Sequence, residues 1–197
     1  MLAVILPSRG LIHSRTIETL IKTIDRYAYD FKLYVSHDNP IPECFNIPIE
    51  LALKDNPEAF IIVEEDIALN FDTLNAMIQS WVFDKTDIAA ADYLVAPGVK
   101  AFKTTKGILT GGLGCVLIKA SVMKDLLPFS DQTSYDMDMN PFPSLPNGYG
   151  HQDIDFYVRA FMKNYKVKVC GEVEHLRVIE MGKAGTNNGV HKIEAIA

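Results

Sequence analysis

The chain has 197 residues, enough for one α/β domain with a proper core and few for two. Apolar residues make up 48% of it and charged residues 22%, which is typical of a globular protein and excludes a disordered one. The net charge of −6 excludes a non-specific nucleic-acid binder, which needs a surplus of Lys and Arg against phosphates.

The cysteines and the apolar runs restrict the compartment. The chain has an odd number of cysteines, namely Cys44, Cys115 and Cys170, and no C-x-x-C pair. Neither a disulfide framework nor a structural zinc site is therefore supported. The apolar run 1–6 is too short for a signal peptide, and no run approaches the about 20 residues that cross a membrane. We expect a cytoplasmic protein without a transmembrane segment, and a homo-oligomer stays open.

The first half of the chain alternates strands and helices. Apolar runs predict strands over 2–6, 31–36, 60–63 and 88–95. Helical spacing predicts a helix after Ser14 as N-cap, a short helix over 49–53, and a helix after Asn70. Three prolines make residues 40–48 an expected irregular stretch. This order predicts a doubly wound, mostly parallel sheet whose ligands lie outside the carboxyl ends of the strands.

The second half is less regular. A strand is predicted over 113–118 behind Gly111-Gly112, then a short helix before Pro128, and then a Pro-rich loop over 128–149. A helix with Ile154 and Tyr157 on one face and two strands follow, over 166–170 and 173–178. The Gly/Asn-rich tail over 182–189 is expected to be flexible.

An acidic cluster follows the third predicted strand. Glu64, Glu65 and Asp66 come directly after Ile61-Ile62-Val63. Carboxylates at i and i+2 on an extended backbone point the same way, so Glu64 and Asp66 can share a hard cation such as Mn²⁺ or Mg²⁺. An acidic loop that simply solvates the end of a strand is about equally compatible with this cluster alone.

A second acidic pair stands where a helix begins. Asp153 and Asp155 follow Gly150-His151-Gln152, and a carboxylate there could accept the proton of an attacking hydroxyl. The alternative is a first-turn acid that faces the helix dipole, which is common.

Other candidates are separated along the sequence. His175, within a predicted strand, could complete a metal site beside Asp66 through a neutral imidazole, or could be an ordinary core or surface histidine. Pro7-Ser8-Arg9 and Asp38 follow the first two strands and could hold a nucleotide, although Asp38 also suits a turn before Asn39-Pro40. Gly111-Gly112 would let the backbone approach a sugar closely.

Together these residues resemble the GT-A family of glycosyltransferases, most closely its small family-2-like members, and the order of motifs is similar over nearly the whole chain. Pro7-Ser8-Arg9 and Asp38 resemble the nucleotide-binding loops, and Glu64-Glu65-Asp66 resembles the DXD motif that holds the metal and the diphosphate. The length and style of the chain are also similar to those of glycosyltransferases from viruses of archaea.

Later motifs extend the resemblance. Gly111-Gly112 resembles the glycines near the donor sugar, Gln152-Asp153 followed by Arg159 resembles the acidic pair whose second acid is the base in inverting members, and His175 resembles the late metal-binding histidine. Two positions depart from the family pattern: Glu64 replaces the first Asp of the DXD motif, and Gln152 replaces an acid, which leaves Asp155 as the fallback base.

The resemblance implies a single domain over 1–197 with a Rossmann-like, mixed and mostly parallel sheet, a nucleotide-binding half over 1–100 and an acceptor-side half over 101–197. It implies a hexosyltransferase-like enzyme that uses Mn²⁺ or Mg²⁺ and a nucleoside-diphosphate sugar, with a glycan, protein or lipid-linked acceptor, in the host cytoplasm if the chain is viral. Inversion with Asp153 as base is expected. A sugar nucleotidyltransferase and a non-catalytic sugar- or nucleotide-binding module are the alternatives.

Overall fold

Six strands hydrogen-bond into one sheet in the computed structural model, which describes residues 1–105, 107–130 and 151–177. In chain order the elements of these ranges are β1 (Leu2–Leu6), α1 (Ser14–Ile24), β2 (Phe31–Val35), α2 (Glu43–Leu53), β3 (Ala59–Val63), β4 (Ile67–Ala68), α3 (Phe71–Val82), β5 (Ile88–Asp92), β6 (Leu94–Ala96), β7 (Val99–Lys100), β8 (Lys103–Thr105), β9 (Ile108–Thr110), β10 (Cys115–Lys119), α4 (Ala120–Leu126), α5 (His151–Met162), β11 (Val167–Glu172) and β12 (Glu174–His175).

The strand order across the sheet is β11-β5-β10-β3-β1-β2. β1 pairs in parallel with both β2 and β3, and β5 pairs in parallel with β11. β10 runs antiparallel between β3 and β5. The sheet is therefore mixed and mostly parallel, as expected, and the amino end of β10 lies at the same edge as the carboxyl ends of the other five strands.

The two faces of the sheet carry separate parts of the core. Ala3 and Ile5 of β1 pack on the face that α2, α4 and α5 cover, whereas Leu2 and Val4 pack on the face toward α1 and α3. All five residues of β1, and likewise of β3 and β5, are buried. Apolar runs without alternation are typical of strands covered on both faces, so the sequence pattern predicted β1 and β3 correctly and located the start of β5.

The helix starts agree with the sequence in one case and differ in another. Asn70 caps α3, and its side chain accepts a hydrogen bond from the backbone N–H of Thr73. Ser14, expected as the N-cap of α1, is instead its first helical residue. The cap is His13, whose Nδ1 accepts from the Arg15 backbone at 3.1 Å.

The region expected to be irregular over 40–48 is largely helical, and that expectation was wrong. α2 begins at Glu43 and includes Pro48 in its interior. Proline removes one helical hydrogen bond, but burial of Phe45, Pro48 and Ile49 in the core offsets this loss.

Strand boundaries also differ from the sequence expectations. The run 88–95 divides at Tyr93, because β5 ends at Asp92 and the chain turns into the β6–β7 ribbon. The strand expected over 173–178 is reduced to β12, which pairs with β4. The expected loop beyond residue 130 and the expected flexible tail over 182–189 lie outside the described residues.

The expectations about membrane spans and about the cysteines can be compared with the described residues only. None of their helices is long and apolar enough to span a membrane. The three cysteines are free thiols, with Cys44 and Cys115 buried and Cys170 half-buried.

Candidate active site

The candidate residues gather at one edge of the sheet. The loops after β1, β2, β3, β5 and β11 leave from the carboxyl ends of parallel strands, and the loop before β10 arrives at the same edge. The Glu64 N–H donates to the Gly114 carbonyl at 2.8 Å and so joins the acidic cluster to the glycine segment. This edge is where doubly wound sheets bind ligands.

The loop after β1 is held against the end of β2. Ser36 Oγ accepts from the Ser8 N–H at 2.8 Å and donates to the Ser8 carbonyl at 3.1 Å, while Ser8 Oγ accepts from the Gly10 N–H. Gly10 has a φ of 144°, and a Cβ there would lie 3.0 Å from Asp38 Oδ1. The structure thus brings Asp38 beside the loop that Pro7 begins.

Glu65 is held by two arginines. Its carboxylate accepts from the Arg9 backbone N–H at 2.9 Å and from the Arg9 guanidinium at 2.7 and 3.1 Å. The Arg177 guanidinium also donates to Glu65 Oε1, at 3.2 Å. Glu65 is only 5% exposed, so this carboxylate connects the β1 loop with the segment after β12.

Asp66 lies beside His175. Its Oδ2 is 3.1 Å from His175 Nε2 and 3.0 Å from Arg177 Nε. The other imidazole nitrogen, Nδ1, is 2.9 Å from the Leu94 carbonyl, which fixes the ring orientation. Burial alone would raise the pKa of Asp66, but His175, Arg177 and Arg9 lower it below its usual range, so Asp66 is a carboxylate.

The Asp66–His175 pair fits a divalent cation in its chemistry. An oxygen and a nitrogen about 3 Å apart match neighbouring ligands of one octahedral ion with bonds of about 2.1 Å. Nδ1 bound to a carbonyl leaves Nε2 as the ligand nitrogen, an arrangement typical of metal-binding histidines. Within the described ranges, however, no three His, Cys, Asp or Glu side chains are already arranged to hold a metal.

Two further carboxyls near this pair have raised pKa values and so ionise less readily than usual. Burial, together with the negative charges of Asp153 and Asp66, raises the pKa of Glu64 well above its usual range. Burial also raises the pKa of Asp153, although a hydrogen bond from the Leu113 backbone lowers it in part. Groups that share a buried site and resist ionisation are typical of functional sites.

Tyr93 fills the space between the acidic cluster and the helix that carries Asp153. Its hydroxyl accepts from the Gly114 N–H at 3.1 Å, and its ring lies 5.5 Å from that of His175. Burial raises the pKa of Tyr93 well above its usual range, so the hydroxyl keeps its proton. Gly112 is required here, since a Cβ at this residue would overlap the Tyr93 hydroxyl.

The glycine segment is tightly packed on its other side too. A Cβ at Gly111 would come within 2.5 Å of the Phe102 ring, and the Gly112 carbonyl accepts from the Tyr157 hydroxyl at 3.3 Å. A Cβ at Gly112 would also lie 3.7 Å from Asp153 Oδ2. The missing side chain of Gly112 therefore leaves the room in which the Tyr93 hydroxyl and the Asp153 carboxyl approach each other.

The first turn of α5 separates the two candidate bases. Asp155 Oδ2 accepts from Arg159 Nε at 2.7 Å, and Arg159 also reaches the carbonyls of Leu126 and Pro128. Asp153 Oδ1 and Gln152 Oε1, by contrast, are buried polar atoms without a hydrogen-bond partner among the described residues. Buried polar atoms usually have a partner, which a water molecule, an ion or a ligand could supply here.

Sequence patterns did not single out Tyr93 or assign a role to Arg177. The role of Tyr93 could not be predicted because the predicted strand continued through Asp92, the first polar residue after the apolar run 88–91, and so missed the turn. Asp92 is the signal that could have revealed it, since its Oδ1 accepts from the backbone of Tyr93 and of Phe102 and so turns the chain.

Comparison with known proteins rests on structure. No family model matches the chain, and no curated protein matches it. Among solved structures, A197 from STIV is 14% identical and aligns over 87% of this chain and 82% of its own, with a TM-score of 0.56.

Two further solved structures are also similar. Glucosyl-3-phosphoglycerate synthase from Mycobacterium tuberculosis, solved with Mn²⁺, uridine-diphosphate and phosphoglyceric acid, is 12% identical over 96% of this chain and 80% of its own, with a TM-score of 0.51. TarS residues 1-349 from S. aureus, solved with UDP, are 14% identical over 88% of this chain and 59% of that chain, with a TM-score of 0.52. At these identities the likeness establishes the fold, which is of the GT-A type that the motif order implied.

Proposed function

We propose that this chain is a metal-dependent glycosyltransferase that moves a sugar from a nucleoside-diphosphate sugar to an acceptor hydroxyl. The observation that carries the proposal is the position of two chemically different groups at one sheet edge. Asp66 and His175 form a cation-binding pair, and Asp153, across Tyr93 and Gly112, is a buried carboxyl with an unpartnered oxygen. Sugar transfer needs both a charge-neutralising site and a base.

The nucleotide belongs, in this proposal, to the half of the chain over 1–100. Asp38 and the Pro7-Ser8-Arg9 loop lie together and offer an acceptor for ribose or base donors and a guanidinium for a phosphate or a base. The UDP complexes of two similar folds support this ligand class. The acceptor then belongs to the half over 101–197.

Asp66 and His175 would hold Mn²⁺ or Mg²⁺, with Glu64 joining once the cation has lowered the cost of ionising it. A bound cation supplies positive charge against the two phosphates and so stabilises the leaving diphosphate. Glu65 keeps Arg9 at the same edge, where its guanidinium adds to that charge.

Asp153 is the proposed base. The acceptor oxygen forms a bond to the anomeric carbon, the bond from that carbon to the phosphate oxygen breaks, and the nucleoside diphosphate leaves with the electron pair. The acceptor proton moves to the Asp153 carboxylate. One displacement from the opposite face inverts the anomeric centre. The Arg159 ion pair supports Asp153 over Asp155 for this role.

Within this proposal the enzyme is a hexosyltransferase, and its acceptor is a glycan, a protein or a lipid-linked molecule. It acts in the cytoplasm, which is that of the host if the chain is viral. Glu64 and Gln152, which replace aspartate and an acid, favour a second candidate, a binding module without turnover. A nucleotidyltransferase is disfavoured because Gly10 is the sole glycine of the β1 loop, whereas that class usually has a glycine-rich loop there.

Calorimetric titration with UDP and GDP, with and without Mn²⁺, tests the proposal. We expect one nucleotide to bind in a Mn²⁺-dependent manner, and we expect Asp66→Ala to abolish this binding. Asp84→Ala should leave it unchanged, since Asp84 precedes β5, at the opposite edge of the sheet, and forms an exposed ion pair with Lys168. Donor sugars carrying the preferred nucleotide are then tested for transfer, and NMR of the product reports inversion or retention. Mn²⁺-dependent binding without transfer or hydrolysis would favour the binding module.

A further inference from the structure

Arg177 and the proposed cation have the same electrostatic partner. Arg177 Nε contacts Asp66 Oδ2 at 3.0 Å, and this is the same oxygen that faces His175 Nε2. A guanidinium therefore lies against Asp66 beside the His175 imidazole and contributes to balancing its negative charge in the protein without metal.

We propose that Arg177 is an exchangeable internal cation: it balances Asp66 and Glu65 when no divalent ion is bound, and a divalent ion at Asp66 displaces it toward the phosphates of the nucleotide. Only the second half of this proposal, the movement of Arg177 toward the phosphates of the nucleotide, rests on the proposed function. Displacement from Asp66 concerns the protein and the ion alone.

The contacts of the two arginines explain why Arg177 is the one that moves. Arg9 is fixed to Glu65 by its backbone N–H as well as by its guanidinium. Arg177 has one contact to each of two carboxylates, and its side chain is 44% exposed. Because the Arg177 guanidinium is already partly solvated, a dication can replace it without moving a fully buried charge into water.

Charge repulsion makes the exchange necessary. A guanidinium and a dication bound to the same carboxylate oxygen would lie within a few ångströms of each other and repel strongly in a partly buried site. Once released, a guanidinium fits phosphate oxygens in a bidentate manner better than any other side chain does. After the exchange, Glu65 still pairs with Arg9, whereas Asp66 pairs with the divalent ion instead of Arg177.

Mn²⁺ binding without nucleotide tests the displacement directly. Electron paramagnetic resonance measures free Mn²⁺ during titration of the wild type, Arg177→Gln and Arg177→Lys. We expect Arg177→Gln to bind Mn²⁺ about fivefold more tightly, because the competing cation is gone, and Arg177→Lys to fall between the two. Arg15→Gln is the control, since Arg15 pairs with Glu174 next to His175 and does not contact Asp66. It removes the same charge and should change the affinity less than twofold.

A second measurement reports the position of the side chain. The Arg177 Nε–H resonance, assigned by comparison with Arg177→Lys, should shift when diamagnetic Mg²⁺ is added to the wild type and should remain unshifted in Asp66→Ala. Equal or weaker Mn²⁺ affinity in Arg177→Gln, or no Mn²⁺ binding by any variant, would overturn the inference.

The nucleotide arm separates this inference from the proposed function. With saturating Mn²⁺, Arg177→Gln should bind UDP or GDP about tenfold more weakly than the wild type, because the phosphates lose a bidentate donor. If Mn²⁺ affinity rises but neither nucleotide binds the wild type, the exchange stands and the glycosyltransferase proposal fails. If nucleotide binds with Mn²⁺ but Mn²⁺ affinity is unchanged in Arg177→Gln, the glycosyltransferase proposal stands and the exchange fails.

Discussion

The hydroxyl of Tyr93 lies where a side chain at Gly112 would begin. A Cβ at Gly112 would come 2.9 Å from Tyr93 Cζ and overlap the hydroxyl itself, and Tyr93 is buried, so the ring and its neighbours would have to shift. This contact joins the proposed metal-binding side of the site, through His175, to the side that carries Asp153.

Gly112→Ala should therefore destabilise the protein by about 1 to 3 kcal/mol, as overpacking of a tight core contact does, and should reduce transfer activity more than nucleotide binding. Urea denaturation and steady-state kinetics check both effects. Tyr93→Phe removes the overlapping oxygen, so the double variant Gly112→Ala/Tyr93→Phe should lose less stability than the two single effects combined. Strict additivity would contradict the contact as the cause.

Asp153→Asn should lower the transfer rate about 10²- to 10⁴-fold, the usual contribution of a positioned base, and should leave Mn²⁺-dependent nucleotide binding intact. Kinetics and calorimetry on the same preparation separate the two. Asp155→Asn is the matched control, since it removes the neighbouring carboxylate on the same helix turn and costs only the ion pair with Arg159. Full activity in Asp153→Asn, or a larger loss in Asp155→Asn, would remove Asp153 from its role.

The carboxyls of Glu64 and Asp153 make stability depend on pH. Burial raises the pKa of Glu64 to about 8 and that of Asp153 to about 7, so the folded protein keeps protons that the unfolded chain releases near pH 4. Between these values the folded state binds more protons, and the free energy of unfolding falls as the pH rises. Without metal, stability should decline from about pH 5 to about pH 8.

Glu64→Gln and Asp153→Asn should each flatten this decline and raise the stability at pH 8 by on the order of 1 kcal/mol, because each removes a charge that is poorly solvated in the fold and keeps the shape of the side chain. Denaturation with urea in EDTA-containing buffers across the pH range is the measurement. Mn²⁺ should restore stability to the wild type at pH 8. A slope that neither substitution alters would mean that these carboxyls ionise normally.

Glu65→Gln should weaken the attachment of both arginines. We expect a loss of about 1 kcal/mol in stability, since the two guanidinium groups are partly exposed, and a larger effect on KM for the donor than on kcat. Glu174→Gln, which breaks an exposed ion pair with Arg15, serves as the comparison and should leave both constants unchanged. An effect on kcat alone would place Glu65 in the chemical step instead.

Local patterns predicted the buried parallel strands and the edge of the sheet at which the candidate residues lie. β1, β3 and α3 were accessible because an uninterrupted apolar run and a capped amphipathic repeat each have one plausible structure. Glu64, Asp66 and Asp38 were found because polar residues directly after such strands must lie at the carboxyl edge.

Non-local packing explains what the sequence could not predict. Pro48 breaks an isolated helix, and only the core contacts of α2 reveal that it is tolerated. The placement of β10 between β3 and β5 depends on pairing partners more than 20 residues away. The contacts of Arg177 with Asp66 and Glu65 join segments more than 100 residues apart, so no local pattern could assign them.

The insertion of β10 has a consequence for how the chain matures during synthesis. β1, β2 and β3 can assemble early, but β5 pairs only with β10 and β11 in the described sheet, and both strands emerge from the ribosome later. A nascent chain of about 100 residues therefore carries β5 as an apolar segment without a partner. Until β10 is translated, that segment is exposed to aggregation and is a natural target for chaperones.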